Sequence, residues 1–190
     1  MKIKEMSLPG PLLIYPDAHS DKRGSFLELW NQKAFSQNGI RDKFVQINQS
    51  TSCAGVLRGM HYQLKSPQAK LCRLIHGVAR DVIIDIRLSS PTFGQHTSWL
   101  MYAGDSHPMI YIPKGFAHGF LVLSERVVFE YFCSDYYSES DGQHGVRWDD
   151  PDLNLPWAIN GNSEPVIVSA QDNSLPFLRD IPRNELPIYP

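Results

Sequence analysis

Short apolar runs alternate with polar and turn-forming residues through the middle of this 190-residue chain. The segments Phe26–Trp30, Phe44–Ile47, Leu71–Ile75, Asp81–Arg87, Thr97–Met101, Met109–Ile112, Gly119–Val122 and Val127–Cys133 predict strands, separated by Gly, Pro, Ser and Asn. Many short strands with such punctuation predict an all-β sandwich or barrel. The run VARDVIIDIR sets charges among β-branched residues, so one face of that strand is expected on the core and the other toward a polar cavity. Only Asn31–Gln37 predicts a helix, and it is short. No fixed-period repeat or low-complexity linker divides the chain, and residues 1–190 are expected to form one domain. The C-terminal third, rich in Asp, Asn and Pro, is expected to be loop-dominated and to wrap the sheet.

Composition narrows the function classes. Hydrophobic residues make up 42% and charged residues 20%, values of an ordinary globular protein. A formal net charge of -2 gives no general attraction to nucleic acid or to an anionic membrane surface. Cys53, Cys72 and Cys133 are scattered, with neither a disulfide framework nor metal-finger spacing, which fits a reducing cytoplasm. The N-terminal apolar stretch is broken by prolines, and no apolar run approaches the length that spans a bilayer.

Three polar clusters carry candidate chemistry. In Arg58-Gly59-Met60-His61-Tyr62-Gln63 an extended backbone alternates its side chains between two faces, so His61 and Gln63 share one. In Gln68-Ala69-Lys70-Leu71-Cys72-Arg73, Lys70 and Cys72 share one face and Leu71 and Arg73 the other. In Ile112-Pro113-Lys114-Gly115-Phe116-Ala117-His118-Gly119-Phe120 a turn delivers a histidine between aromatic residues. Taken alone, Arg58 and His61 read as polar residues of a solvated sheet face and Lys70 as a surface lysine. Tyr131 alone reads as a packed aromatic, and Asp172 as a turn former. Gly24, Gly59, Gly115 and Gly119 read as turn or bulge residues rather than phosphate cradles, since none opens a helix after a strand. His19, His76, His96, His107 and His144 are expected to be structural or exposed.

These clusters, with Asp21-Lys22-Arg23-Gly24, Phe44-Val45-Gln46-Ile47-Asn48, Asp85-Ile86-Arg87, Ser90-Pro91-Thr92-Phe93-Gly94, Tyr131, Tyr136-Tyr137, Trp148-Asp149-Asp150-Pro151 and Ser169-Ala170-Gln171-Asp172, closely resemble the dTDP-4-dehydrorhamnose 3,5-epimerase family. The match runs in order from about residue 10 to 180. The resemblance implies a cupin-type jelly-roll barrel with short peripheral helices, and a homodimer that shares strands between subunits. It also implies no cofactor, no metal, and a keto-sugar nucleotide as substrate. It assigns His61 as base, Asp172 as its carboxylate partner, Lys70 as the cation near the enolate oxygen and Tyr131 as proton donor on the opposite ring face. Arg23, Glu28, Gln46, Asn48, Arg58, Lys70 and His118 match substrate contacts, and Tyr137 matches an aromatic that stacks on the base.

That assignment suits the chemistry. A proton next to a ketone is weakly acidic, and its removal puts charge on the ketone oxygen. Such a site needs a base that titrates near neutrality and a cation where charge develops. Two positions depart from the family pattern: Gln143 stands where many relatives carry Glu, and Gln171 where many carry Lys. They bear on the substrate, expected to be dTDP-linked 4-keto-6-deoxyglucose inverted at C3 and C5. A single-centre epimerase of a CDP-linked sugar is the alternative. A metal-dependent cupin fits less well, because Gln63 stands where a second histidine ligand would be expected. A non-catalytic sugar-binding jelly roll has no need of a base, a cation and a phenol together.

Overall fold

The structure is a computed structural model that describes residues 1–104, 108–138, 144–157 and 166–189. The chain opens with β1 (Lys2–Glu5), β2 (Leu12–Tyr15), β3 (Ala18–Asp21), β4 (Gly24–Leu27) and helix α1 (Gln32–Gln37). The body follows as β5 (Gln46–Cys53), β6 (Leu57–Tyr62), β7 (Lys70–His76), β8 (Val78–Asp85), β9 (His96–Tyr102), β10 (Met109–Ile112), β11 (Phe116–Val122) and β12 (Arg126–Cys133). The two-residue β13 (His144–Gly145) and helix α2 (Ala170–Asn173) come last.

Six strands form one sheet in the order β1-β2-β10-β7-β12-β5, and five form a second in the order β13-β6-β11-β8-β9. From β5 to β12 the chain changes sheet at every connection except the β8–β9 hairpin, which is the path of a jelly roll. Side-chain alternation then builds three apolar layers. Leu74, Ile83, Met101, Ile110, Phe120, Val127 and Phe129 meet between the sheets. Leu57, Met60, Tyr62, Val82, Ile84 and Leu121 face outward from the five-stranded sheet and are covered by Trp157, Leu178, Ile181 and Leu186. Ile14, Leu71, Tyr111 and Phe132 face outward from the six-stranded sheet, under Phe35, Ile40 and the aromatic rings of Trp30 and Phe44.

The observed elements refine the expectations in particular places. Phe26–Trp30 is not one strand: β4 ends at Leu27, and the chain then turns into the helix that Asn31 caps by accepting from the Lys33 and Ala34 N–H groups. Phe44 and Val45 precede β5, which runs on through Gln46–Cys53, because alternating Gln46, Asn48, Ser50 and Ser52 line the interior with polar rather than apolar groups. An apolar-periodicity reading stops where that face turns polar. The N-terminal strands β1 and β2 are four residues each, with Pro9, Pro11 and Pro16 around β2, and apolar periodicity over so short a span predicts neither. VARDVIIDIR is buried on both faces: Ala79 and Ile83 look into the barrel and Val82, Ile84 and Ile86 lie beneath the C-terminal segment. That segment does wrap the sheet. It is tied by parallel bridges Val56 to Ile167 and Leu88 to Ile188. The Asp85-Ile86-Arg87 and Ser90-Pro91-Thr92 motifs fold back on one another, with Asp85 accepting from Arg87, Ser90 and Thr92 side chains at 2.6 to 2.8 Å.

Candidate active site

Strict alternation along β6 would send Arg58 and His61, three positions apart, to opposite faces. The structure sends both inward. Opposite β11, His61 pairs with His118 and Arg58 with Phe120, so β6 spends one residue more than its partner over this stretch. That is a β-bulge at Gly59, and it re-aims a side chain as bulges do. The bulge needs glycine. A Cβ on Gly59 would stand 2.5 Å from Gly119 Cα, and its φ of +130° belongs to backbone that side chains rarely adopt. Gly119 is equally constrained, since a Cβ there would meet the Arg58 carbonyl oxygen at 2.7 Å.

Arg58, His61, Lys70, His118 and Tyr131 line one cavity of about 160 Å³, together with Ser50, Gly119, Phe120 and Phe129. The aromatic floor belongs to the interior core, and the polar groups come from five different strands. Asp172 reaches the site from α2. His61 Nε2 lies 2.7 Å from Asp172 Oδ1, and Gly59 N–H donates to Asp172 Oδ2 at 3.3 Å. Asp172 is held there by its helix cap, because Ser169 Oγ accepts the Asp172 N–H at 3.0 Å. Burial alone would raise the Asp172 carboxyl, but the His61 ring and the Gly59 and Ser169 donors outweigh it and hold the carboxyl below its ordinary value. Asp172 is therefore an anion facing His61.

Burial in the barrel pushes the Lys70 ammonium down, against the pull of Cys72, Cys133 and Asp81. Lys70 and Cys72 share the inner face and Leu71 packs on the outer one, as the pattern predicts. Burial raises the Tyr131 phenol, with Cys133 and Cys72 adding to the effect and Asn48 and Arg58 opposing it. Arg58 Nε donates to Ser52 Oγ at 3.0 Å, which fixes the guanidinium at the cavity wall.

The sequence reading missed Asp81. It lies on the inner face of β8, 1% exposed, with Oδ2 2.7 Å from His118 Nε2, and a charged residue on an otherwise apolar inward face was the available signal. Burial raises its carboxyl while His118 and Lys70 draw it back down. Gln46 and Asn48 stand beside the cavity on the inner face of β5, and Tyr137, whose ring is exposed, donates its backbone N–H to Gln46 Oε1 at 3.0 Å. Gln171 lies on an adjoining groove shared with Arg58 and Asp172. Arg23 and Glu28 are not brought to the cavity: both are exposed at the β3–β4 hairpin, where Arg23 pairs with Asp21. Gln143 and His107 lie outside the described residues.

A jelly roll with a histidine–carboxylate pair, a buried lysine and a phenol around one cavity defines a cupin-type carbohydrate epimerase. The chain belongs to the dTDP-4-dehydrorhamnose 3,5-epimerase family, whose model matches residues 5–180. It is 40% identical to the dTDP-4-dehydrorhamnose 3,5-epimerase of Methanothermobacter thermautotrophicus over 177 residues, 93% of this chain and 94% of that protein. With the enzyme of the same description from Escherichia coli (strain K12) it shares 39% identity over 189 residues, 98% of this chain and 99% of that one. Its fold matches the crystal structure of dTDP-6-deoxy-D-glucose-3,5-epimerase from Legionella pneumophila Philadelphia 1, solved in complex with dTDP-4-keto-L-rhamnose. The TM-score is 0.92 at 39% identity, covering 100% of this chain and 98% of that one.

Proposed function

We propose that the cavity inverts C3 and C5 of dTDP-linked 4-keto-6-deoxyglucose by proton removal on one ring face and return on the other. The single observation that carries this is the gathering of His61, backed by Asp172, with Lys70 and Tyr131 around one small cavity. An ionised Asp172 can only accept, so His61 carries its proton on Nε2 and takes the substrate proton at Nδ1. The electron pair of the broken C–H bond moves to the C4 oxygen, and the Lys70 ammonium stabilises that enolate. Tyr131 then gives its proton to the same carbon from the opposite face, leaving a phenolate. Imidazolium and phenolate are reset by exchange with water, so each turnover carries solvent hydrogen into the sugar.

Incubating the protein with dTDP- and CDP-linked 4-keto-6-deoxyglucose in deuterated water tests the reading. Deuterium at both C3 and C5, with the higher kcat/KM for the dTDP sugar, is expected. Label at one centre alone, or a CDP preference, would replace the reading with the single-centre alternative, and no label at all would end it. Gln171, on the groove beside Arg58 and Asp172, is the described position through which substrate preference is expected to be tuned.

The working unit of this reading is a homodimer in the reducing cytoplasm. Its support is the β3–β4 hairpin, which pairs with neither large sheet and carries Arg23, Glu28 and a 69% exposed Phe26. Val45, just before edge strand β5, and Ile47 on that strand are also exposed. An exposed apolar edge of this kind is usually covered. A partner there would bring Arg23 and Glu28 to the neighbouring cavity. Light scattering at micromolar concentration should give twice the 21.6 kDa chain mass, and a monomer would overturn this part.

A further inference from the structure

We propose that Ser52 is a positioning residue for substrate binding: by accepting the Nε–H of Arg58 it holds the guanidinium in place before substrate arrives, leaving Nη1 and Nη2 as the fork that grips the diphosphate. This rests on the reading of the cavity as a nucleotide-sugar site.

Ser52 is a hydroxyl in apolar company. Its side chain turns inward from β5, it is 6% exposed, and its ladder partner on β12 is Val127, a fully buried residue of the interior core. A hydroxyl taken out of water costs free energy unless a new hydrogen bond replaces the one lost. Among the described residues, the hydrogen bond that replaces it comes from Arg58 Nε at 3.0 Å. The two residues belong to different sheets. Residues 54–56 carry the chain from the end of β5 to the start of β6, so Ser52 meets Arg58 where the sheets join.

Arg58 stands at a junction. It lines the cavity with His61, Lys70 and Tyr131, and it also lines an adjoining groove of about 400 Å³ with Ser169, Gln171 and Asp172. A guanidinium carries five N–H donors in one plane, so anchoring Nε sets both the plane and the direction of the other four. Those four, on Nη1 and Nη2, make no hydrogen bond to the described residues. A diphosphate joining a sugar in the cavity to a nucleoside outside it would pass this junction. Its paired anionic oxygens match an end-on guanidinium fork. Arg58 is an exposed residue, and without Ser52 its long side chain would sample several rotamers in water. The Asp172 anion on the same groove would also compete for it. The cost of ordering Arg58 would then fall on the binding step instead of on folding.

Ser52→Ala removes one oxygen and tests this, with circular dichroism and melting temperature to check each variant for folding. The Kd for dTDP by calorimetry and the KM for the dTDP sugar should rise about threefold to tenfold, the cost of ordering one long side chain on binding. The change in kcat should be smaller. Arg58→Lys keeps the charge but has no Nε–H, so adding Ser52→Ala to it should weaken dTDP no further. An equal loss in both backgrounds would make Ser52 a direct ligand contact or a core residue only, and would overturn the proposal. An unmoved Kd in Ser52→Ala would do the same. The parent protein gives a second readout that needs no change at Ser52. With nitrogen-labelled arginine and no ligand, the Arg58 Nε–H, identified by its loss in Arg58→Lys, should exchange with water about tenfold or more slowly than a solvated arginine. Exchange at the solvated rate overturns the anchoring. Weakened dTDP binding in Ser52→Ala, with no deuterium entering the sugar in the parent, would leave the role of Ser52 standing and end the epimerase reading. Normal deuterium entry with an unmoved Kd would do the reverse.

Discussion

Replacing His61 with alanine should lower turnover by about a hundredfold to ten-thousandfold, the usual worth of a positioned general base. Deuterium exchange at C3 and C5 should fall by the same factor, because the reading makes His61, with Asp172 behind it, the base at both centres. His118 lines the same cavity with Asp81 2.7 Å behind it, so exchange that survived in His61→Ala would point to His118 as the base. Asp172→Ala should also lower turnover, by less than His61→Ala. It removes the anion that fixes the tautomer of His61 and stabilises the imidazolium, but leaves the ring itself. The damage should show in kcat more than in KM, since the benefit of the anion appears only as the ring gains its proton. Steady-state kinetics with mass spectrometry of the recovered sugar measures all of these. If His61→Ala kept near-normal exchange at both centres, the base would have to be sought elsewhere.

Tyr131→Phe should separate two events that are joined in the parent enzyme. The substitution removes one oxygen and keeps the ring that packs beside Phe129. Proton abstraction by His61 should largely survive, and the enolate should be reprotonated on the face it came from. Solvent deuterium should then enter the sugar at least tenfold faster than inverted product appears, a factor within the usual worth of one acid–base group. Nuclear magnetic resonance of the sugar ring resolves both quantities in one sample. Equal loss of exchange and inversion would mean that Tyr131 is not the opposite-face donor. The cavity also explains why a phenol can fill this post. Burial keeps it protonated at rest, while Asn48 and Arg58 favour the anion left after the proton has gone.

Much of this was legible in the chain. The punctuated apolar runs predicted the all-β body, and the short helix predicted over Asn31–Gln37 is present as α1, Gln32–Gln37. The inward alternation of Lys70 and Cys72 against Leu71 follows from the period of a strand and nothing more. The resemblance to the epimerase family, rather than residue chemistry alone, singled out His61, Lys70, Tyr131 and Asp172. What escaped was most of β5, because apolar periodicity reports burial against a core and is silent where a strand lines a polar cavity, and β1 and β2, which are only four residues long.

The sequence by itself determined which side chains were available and the local geometry of each strand, since both follow from residue type and the pleat. Only the tertiary structure decided that Arg58 and His61 face the same way. Their spacing puts them on opposite faces of an ideal strand, and the inversion arises because β6 must bulge to pass Gly119 of its neighbour at backbone contact. It also decided that Asp172, 111 positions after His61, closes on it at 2.7 Å, and that Asp81 stands behind His118. Those contacts depend on how two sheets and a wrapping segment come together, a long-range outcome of packing that no local pattern encodes.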